Sequence, residues 1–187
     1  GDSDLLDSLS VVPAGMLINA IFLSVWIYLP SMTQNMSSQR SLAMTTATAL
    51  IAWALFGMIA IFCIGFASDS GLGPREIAIV GVVLTAAFGI YLGWAPGDSP
   101  KGRREVSKPV LMARGTMAAV AIGVSVWVAG LGYPLIAGLA SVFPAIFLTS
   151  MVALWISQGP SVPGGAAAPM LLGGGSVGVY ALVAMYS

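Results

Sequence analysis

The stretch Leu42–Ala67, LAMTTATALIAWALFGMIAIFCIGFA, runs 26 residues without an Asp, Glu, Lys or Arg. As an α-helix it would rise about 39 Å, against a bilayer hydrocarbon core of about 30 Å. In hydrocarbon no water is present to bond N–H and C=O groups, so the backbone must pair within the segment, and a helix is the expected form. Comparable apolar runs occur on both sides of it. Together they predict six membrane-spanning helices at approximately 11–29, 42–67, 75–96, 112–132, 135–157 and 168–186. Ten-residue alternating patterns, the signature of a membrane barrel, are absent. The predicted fold is therefore an all-α integral membrane protein with six transmembrane helices in a single membrane domain.

Composition agrees. Of the 187 residues, 58% are hydrophobic and 7% are charged, where a soluble domain carries about 25% charge. That balance excludes a soluble globular enzyme and a disordered tail. Seven basic residues offset seven acidic ones, so no overall field draws nucleic acid. One cysteine, Cys63, builds neither a disulfide framework nor a zinc site. The absence of His removes the commonest metal ligand and general base. No cofactor, metal or catalytic residue is expected, and the chain reads as a non-enzyme whose first partner is the lipid bilayer.

The charges are sorted by membrane side. Arg40, Lys101, Arg103, Arg104, Lys108 and Arg114 fall on one side of the expected spans, with Asp98 and Glu105; Arg75 falls on the other, with Asp2, Asp4, Asp7, Asp69 and Glu76. Basic residues near span ends mark the cytoplasmic face. Loop 97–108 is thus expected to be cytoplasmic, or its organellar equivalent, with both termini on the opposite side. Lys101, Arg103, Arg104 and Lys108 are candidates for contact with anionic lipid headgroups. The chain begins Gly1-Asp2-Ser3-Asp4 with no basic n-region, which leads to the expectation that a leader or upstream helix is missing.

Comparing the chain with itself reveals an internal match. Ser10-Val11-Val12-Pro13-Ala14 parallels Ser141-Val142-Phe143-Pro144-Ala145, and the match continues with Leu17 and Leu148, Asn19 and Ser150, Leu23 and Leu154. The implied unit is a Pro-bearing helix followed by a plainer one, in parallel orientation. The expected organisation is an N-terminal repeat at 1–67 lacking its leading helix, a linker helix and basic loop at 68–108, and a three-helix repeat at 109–187. Parallel repeats of this plan occur in the SWEET sugar carriers. The chain lacks their Pro-Gln signature, so the analogy is one of architecture. A rival detail is that Leu92-Gly93-Trp94-Ala95-Pro96 is similar to Leu131-Gly132-Tyr133-Pro134, which would make the linker a displaced copy of the leading helix.

Ile136-Ala137-Gly138-Leu139, followed by Phe143-Pro144 and an apolar helix, gives segment 112–187 a resemblance to the GlpM-like small bacterial membrane proteins. That family is associated with alginate synthesis, and the resemblance implies a small multi-span membrane protein without specifying a reaction. The N-terminal copy departs from the pattern, with Leu6-Asp7-Ser8-Leu9 in place of Ala-Gly-Leu and Val12 in place of Phe.

Candidate functional residues follow from the repeat. Proline inside a helix removes one donor and frees the carbonyl four residues back, here those of Leu9 and Ala140. Paired broken helices point to a transport site; packing kinks are the alternative. Asn19, Thr149 and Ser150 lie at equivalent depth near mid-membrane. The candidate solute path or helix interface is therefore Pro13, Asn19, Pro144, Thr149 and Ser150. No fixed charge falls clearly inside a span, which disfavours proton coupling. Gly89-x-x-x-Gly93, Gly174-x-x-x-Gly178 and Gly173-Gly174-Gly175 predict close helix approach or oligomer contacts. Trp26, Trp94, Trp155 and several Tyr residues fall near span ends as an aromatic belt, whereas Trp53 and Trp127 lie deeper and read as core packing. Two functions fit: a subunit or self-assembling component of a membrane complex, forming homo- or hetero-oligomers, or a small-solute facilitator with a site between the two repeats.

Overall fold

A computed structural model describes residues 2–94 and 108–186. The described residues are helical and contain no strand. The helices are α1 (Asp2–Met32), α2 (Ser38–Asp69), α3 (Pro74–Trp94), α4 (Lys108–Ala129), α5 (Pro134–Ser141), α6 (Ala145–Gln158) and α7 (Pro163–Ala184). Five segments are long and apolar enough to cross a membrane: Ser8–Met32, Ser38–Asp69, Pro74–Trp94, Gly138–Gln158 and Pro163–Ala184. They correspond to five of the six expected spans. The remaining expectation, 112–132, falls largely on α4 and extends three residues past its end.

Sequence chemistry explains the helix ends. Ser70-Gly71 stops α2, with Gly71 at φ +92°, where a side chain would be strained. Pro163 opens α7 at the first helical position, where a missing N–H costs nothing. That helix begins five residues before the expected 168. Gly164-Gly165 lie in the stretch expected to be a connection, but helix supplies internal partners for backbone placed in an apolar medium.

The central element is α1. It packs against α2, α3, α5 and α7, and 67% of its apolar window is buried, compared with 17% for α2. The outer surfaces carry Phe62, Phe66, Trp94, Met112, Trp127 and Tyr180 in exposed positions, as suits helices bathed in lipid acyl chains. Two apolar clusters fill the interior. One is built on Phe22, Leu23, Trp26, Met151, Trp155 and Leu171; the other on Val11, Met16, Leu139 and Val142.

Small residues set the close approaches. A Cβ placed on Gly138 of α5 would stand 2.5 Å from the Ser8 carbonyl oxygen. A Cβ on Gly15 of α1 would overlap Val142, so each helix offers a glycine to the other. On the opposite face of α1, Gly81 of α3 and Gly178 of α7 close around Pro13. Gly89 accommodates Leu172, and Gly174 accommodates Met16 and Phe147. Within the glycine triplet the roles diverge, because Gly173 faces open space. These contacts place Gly89, Gly174 and Gly178 in intramolecular packing.

Candidate functional site

The two matched prolines behave differently. Helix α1 runs unbroken through Pro13, whereas the chain leaves helical geometry at Val142-Phe143-Pro144 and restarts with Pro144 as the N-cap of α6. The expectation of two equivalent broken helices is met at one position only. The physical reason lies in the neighbours. Pro13 lies between the backbone-level surfaces of Gly81 and Gly178, and Thr85 donates to its carbonyl at 3.4 Å. At the other site, Phe143 packs edge-on against Trp53, with ring centroids 5.2 Å apart.

Breaking a helix in an apolar interior exposes carbonyls that must be paired. The Ala140 carbonyl, expected to be freed, accepts from the Phe143 N–H at 3.1 Å. The carbonyl of Val142 is paired from another helix. Asn19 Nδ2 donates to it at 3.1 Å, from α1. Trp53 Nε1, from α2, donates to Asn19 Oδ1 at 2.9 Å. Met16 Sδ lies 3.7 Å from the same Asn19 amide. Asn19 is buried, and Trp53 packs against both apolar clusters. One amide therefore joins α1, α2 and the α5–α6 break near the middle of the bundle.

Thr149 and Ser150 are buried but do not join this cluster. Thr149 Oγ1 donates to the Ala145 carbonyl at 2.8 Å and Ser150 Oγ to the Ile146 carbonyl at 2.6 Å, both within α6. Such back-bonding satisfies a hydroxyl without a neighbouring helix. Ser150 thus makes no interhelical bond of the kind Asn19 makes. Trp53, expected from its depth in the span to be core packing, carries the third polar group of the cluster. Its signal was available: a buried indole carries an N–H that usually finds a partner, and Asn19 was the polar group expected at mid-membrane.

Lys108 is exposed at the start of α4. Lys101, Arg103 and Arg104 lie outside the described residues. Polar links elsewhere tie helix ends together. Thr33 and Ser41 hydroxyls are 2.5 Å apart, and Trp155 Nε1 donates to Ser38 Oγ at 3.2 Å. At the far end, Arg75 Nε and Nη2 donate to the Met185 carbonyl at 3.1 and 2.9 Å, with the guanidinium 4.7 Å from the Tyr186 ring centroid. That is a cation placed at a helix C-terminus, where the macrodipole favours it.

Two surface cavities bear on function. One, of about 1000 Å³, opens among the ends of α1 and α3 and the start of α7; the other, of about 530 Å³, lies between α2 and α6. Neither touches Pro13, Asn19 or Pro144. Among the described residues no group of three or more His, Cys, Asp or Glu could hold a metal ion. No protein-family model, curated protein or solved structure matches the chain.

Proposed function

We propose that this chain is a non-catalytic multi-span membrane protein acting as a subunit or self-assembling component of a membrane complex. The observation that carries this reading is the state of Asn19. The donor and acceptor of its amide are both engaged by protein groups, Val142 O and Trp53 Nε1, where a carrier would keep them for solute. Pro13 is likewise enclosed, between Gly81 and Gly178. In this reading α4 is the sixth span, both termini lie on the non-cytoplasmic side, and loop 97–108 faces the cytoplasm, following the distribution of basic residues. Cross-linking in the native membrane tests it. A product of at least two chains, or of this chain with a fixed partner, is expected; recovery of the free 19.1 kDa chain alone would overturn it.

A second reading, the small-solute facilitator, is favoured by one feature: the helix break at Val142–Pro144 lies beside a buried polar side chain, the arrangement that transporters use near the membrane midplane. Flux of neutral polar solutes such as glycerol into proteoliposomes separates the two readings. A facilitator raises flux and responds to Asn19→Ala; an assembly component leaves flux at the lipid background.

A further inference from the structure

The groove of about 530 Å³ between α2 and α6 follows one face of α2. Gln39, Leu42, Ala43, Ala47 and Leu50 line it at positions i, i+3, i+4, i+8 and i+11 of that face, and Val152 contributes from α6. The bond from Trp155 Nε1 to Ser38 Oγ, at 3.2 Å, fastens α6 to α2 at the Gln39 end. Ala43 and Ala47 are exposed, and their small side chains leave the depression between Leu42 and Leu50. From Gln39 to Leu50 the helix rises about 16 Å. That is close to one leaflet, or about 15 Å, of a hydrocarbon core about 30 Å thick.

Polarity is concentrated at one end. Past Gln39, Thr46 is the only polar side chain in the lining. Arg40 is exposed beside Gln39 and is the last charged residue before the uncharged run 42–67. At about 100° per residue, Arg40 falls about 20° from Ala47 around the helix axis, so it stands above that edge of the groove. Arg40 makes no ion pair with another described residue, and no carboxylate lines the groove. An unpaired guanidinium at the mouth of a leaflet-deep apolar groove matches an anionic headgroup joined to an acyl chain. A second copy lying parallel in the groove would bring apolar surface but no anion to Arg40. The acidic residues of the described segments fall at the opposite end of the bundle, at the start of α1, the end of α2 and the start of α3.

We propose that this groove binds one acyl chain of an anionic phospholipid from the adjoining leaflet. Arg40 holds the phosphate, Gln39 meets the glycerol level, and the chain runs past Ala43 and Ala47 to Leu50. The site requires that the protein span a bilayer and does not depend on the assembly reading.

Native mass spectrometry of the full chain, titrated with phosphatidylglycerol or phosphatidylcholine, tests the proposal. The unsubstituted protein is expected to hold one phosphatidylglycerol about fivefold more tightly than phosphatidylcholine, the contribution of one basic residue at a membrane surface. Arg40→Gln should bring the two lipids to equal affinity, and Arg40→Lys should keep the preference. Ala47→Trp fills the groove from an exposed position and should release both lipids while leaving the melting temperature unchanged. An undiminished preference in Arg40→Gln, or full phosphatidylglycerol retention in Ala47→Trp, would overturn the proposal. A lipid-free dimer that Ala47→Trp splits into monomers would also overturn it, because the groove would then hold a second copy.

Discussion

The side-chain amide of Asn19 donates to the backbone carbonyl of Val142 at 3.1 Å, joining two residues 123 positions apart. The bond closes a gap in the backbone pairing of the bundle. It also couples α1 to the helix break, and Trp53 extends the coupling to α2 by donating to the same amide. Removing Asn19 leaves a carbonyl and an indole N–H unpaired. Each such loss costs roughly 1–3 kcal/mol in a protein interior, and interhelical bonds in bilayers measure at the lower end of that range. Asn19→Ala is expected to destabilise the bundle by about 1–3 kcal/mol in a denaturing-detergent titration. Asn19→Asp should cost more, because a carboxylate cannot donate to Val142 and is itself buried.

The unequal roles of the two prolines predict unequal responses. Pro13→Ala acts within a helix that is already continuous, so its stability should change by no more than about 1 kcal/mol. Pro144→Ala removes the clash that interrupts α5 and α6 and allows the Ile146 N–H to serve the Val142 carbonyl. The cost of Asn19→Ala should then shrink in a Pro144→Ala background. A double-mutant cycle checks this, and strictly additive effects would show that the break and the Asn19 bond are independent.

Glycine substitutions should sort by what a Cβ meets. Gly138→Ala drives a methyl group against the Ser8 carbonyl at 2.5 Å, and the Ser8 backbone cannot move aside freely. Overpacking of this kind costs typically about 1–3 kcal/mol. Gly115→Ala, in the middle of α4 with nothing within 4 Å, should be neutral or stabilising by up to about 1 kcal/mol. Thermal unfolding of the two variants side by side reads the difference.

How much of this was legible beforehand differs by level. The apolar run at 42–67, and others like it, were sufficient for the helical membrane class, because length and absence of charge are local properties. Pro144 was visible as a breaking residue for the same reason. The difference between Pro13 and Pro144 was not, since it is decided by Gly81, Gly178 and Trp53, which reach the prolines only through folding. The partner of Asn19 is a backbone carbonyl, and every residue has one, so no residue type could mark Val142. Thr149 and Ser150 looked equivalent to Asn19 by depth, but a hydroxyl one bond from Cβ reaches its own helix backbone, whereas the Asn19 amide reaches across to another element.

Arg75 offers a test away from the centre. It is exposed, so its attraction to the end of α7 is screened, but it makes two hydrogen bonds to the Met185 carbonyl and lies against Tyr186. Arg75→Gln should leave global stability almost unchanged and speed amide hydrogen exchange at residues 183–186, around the C-terminal end of α7. Exchange confined to its original rate there would show that the clasp contributes nothing.

The middle of the bundle is closed by its own polar groups, and thiol accessibility beside Asn19 reads out that closure. With Cys63→Ser as background, Met16→Cys places one thiol a single helical turn from Asn19 in a buried position. In intact proteoliposomes a water-soluble maleimide is expected to leave that thiol unlabelled from either side, and to label it fully once the protein is denatured. Labelling in the intact membrane would contradict the claim, because it would reveal a water path to the site where the account places only protein.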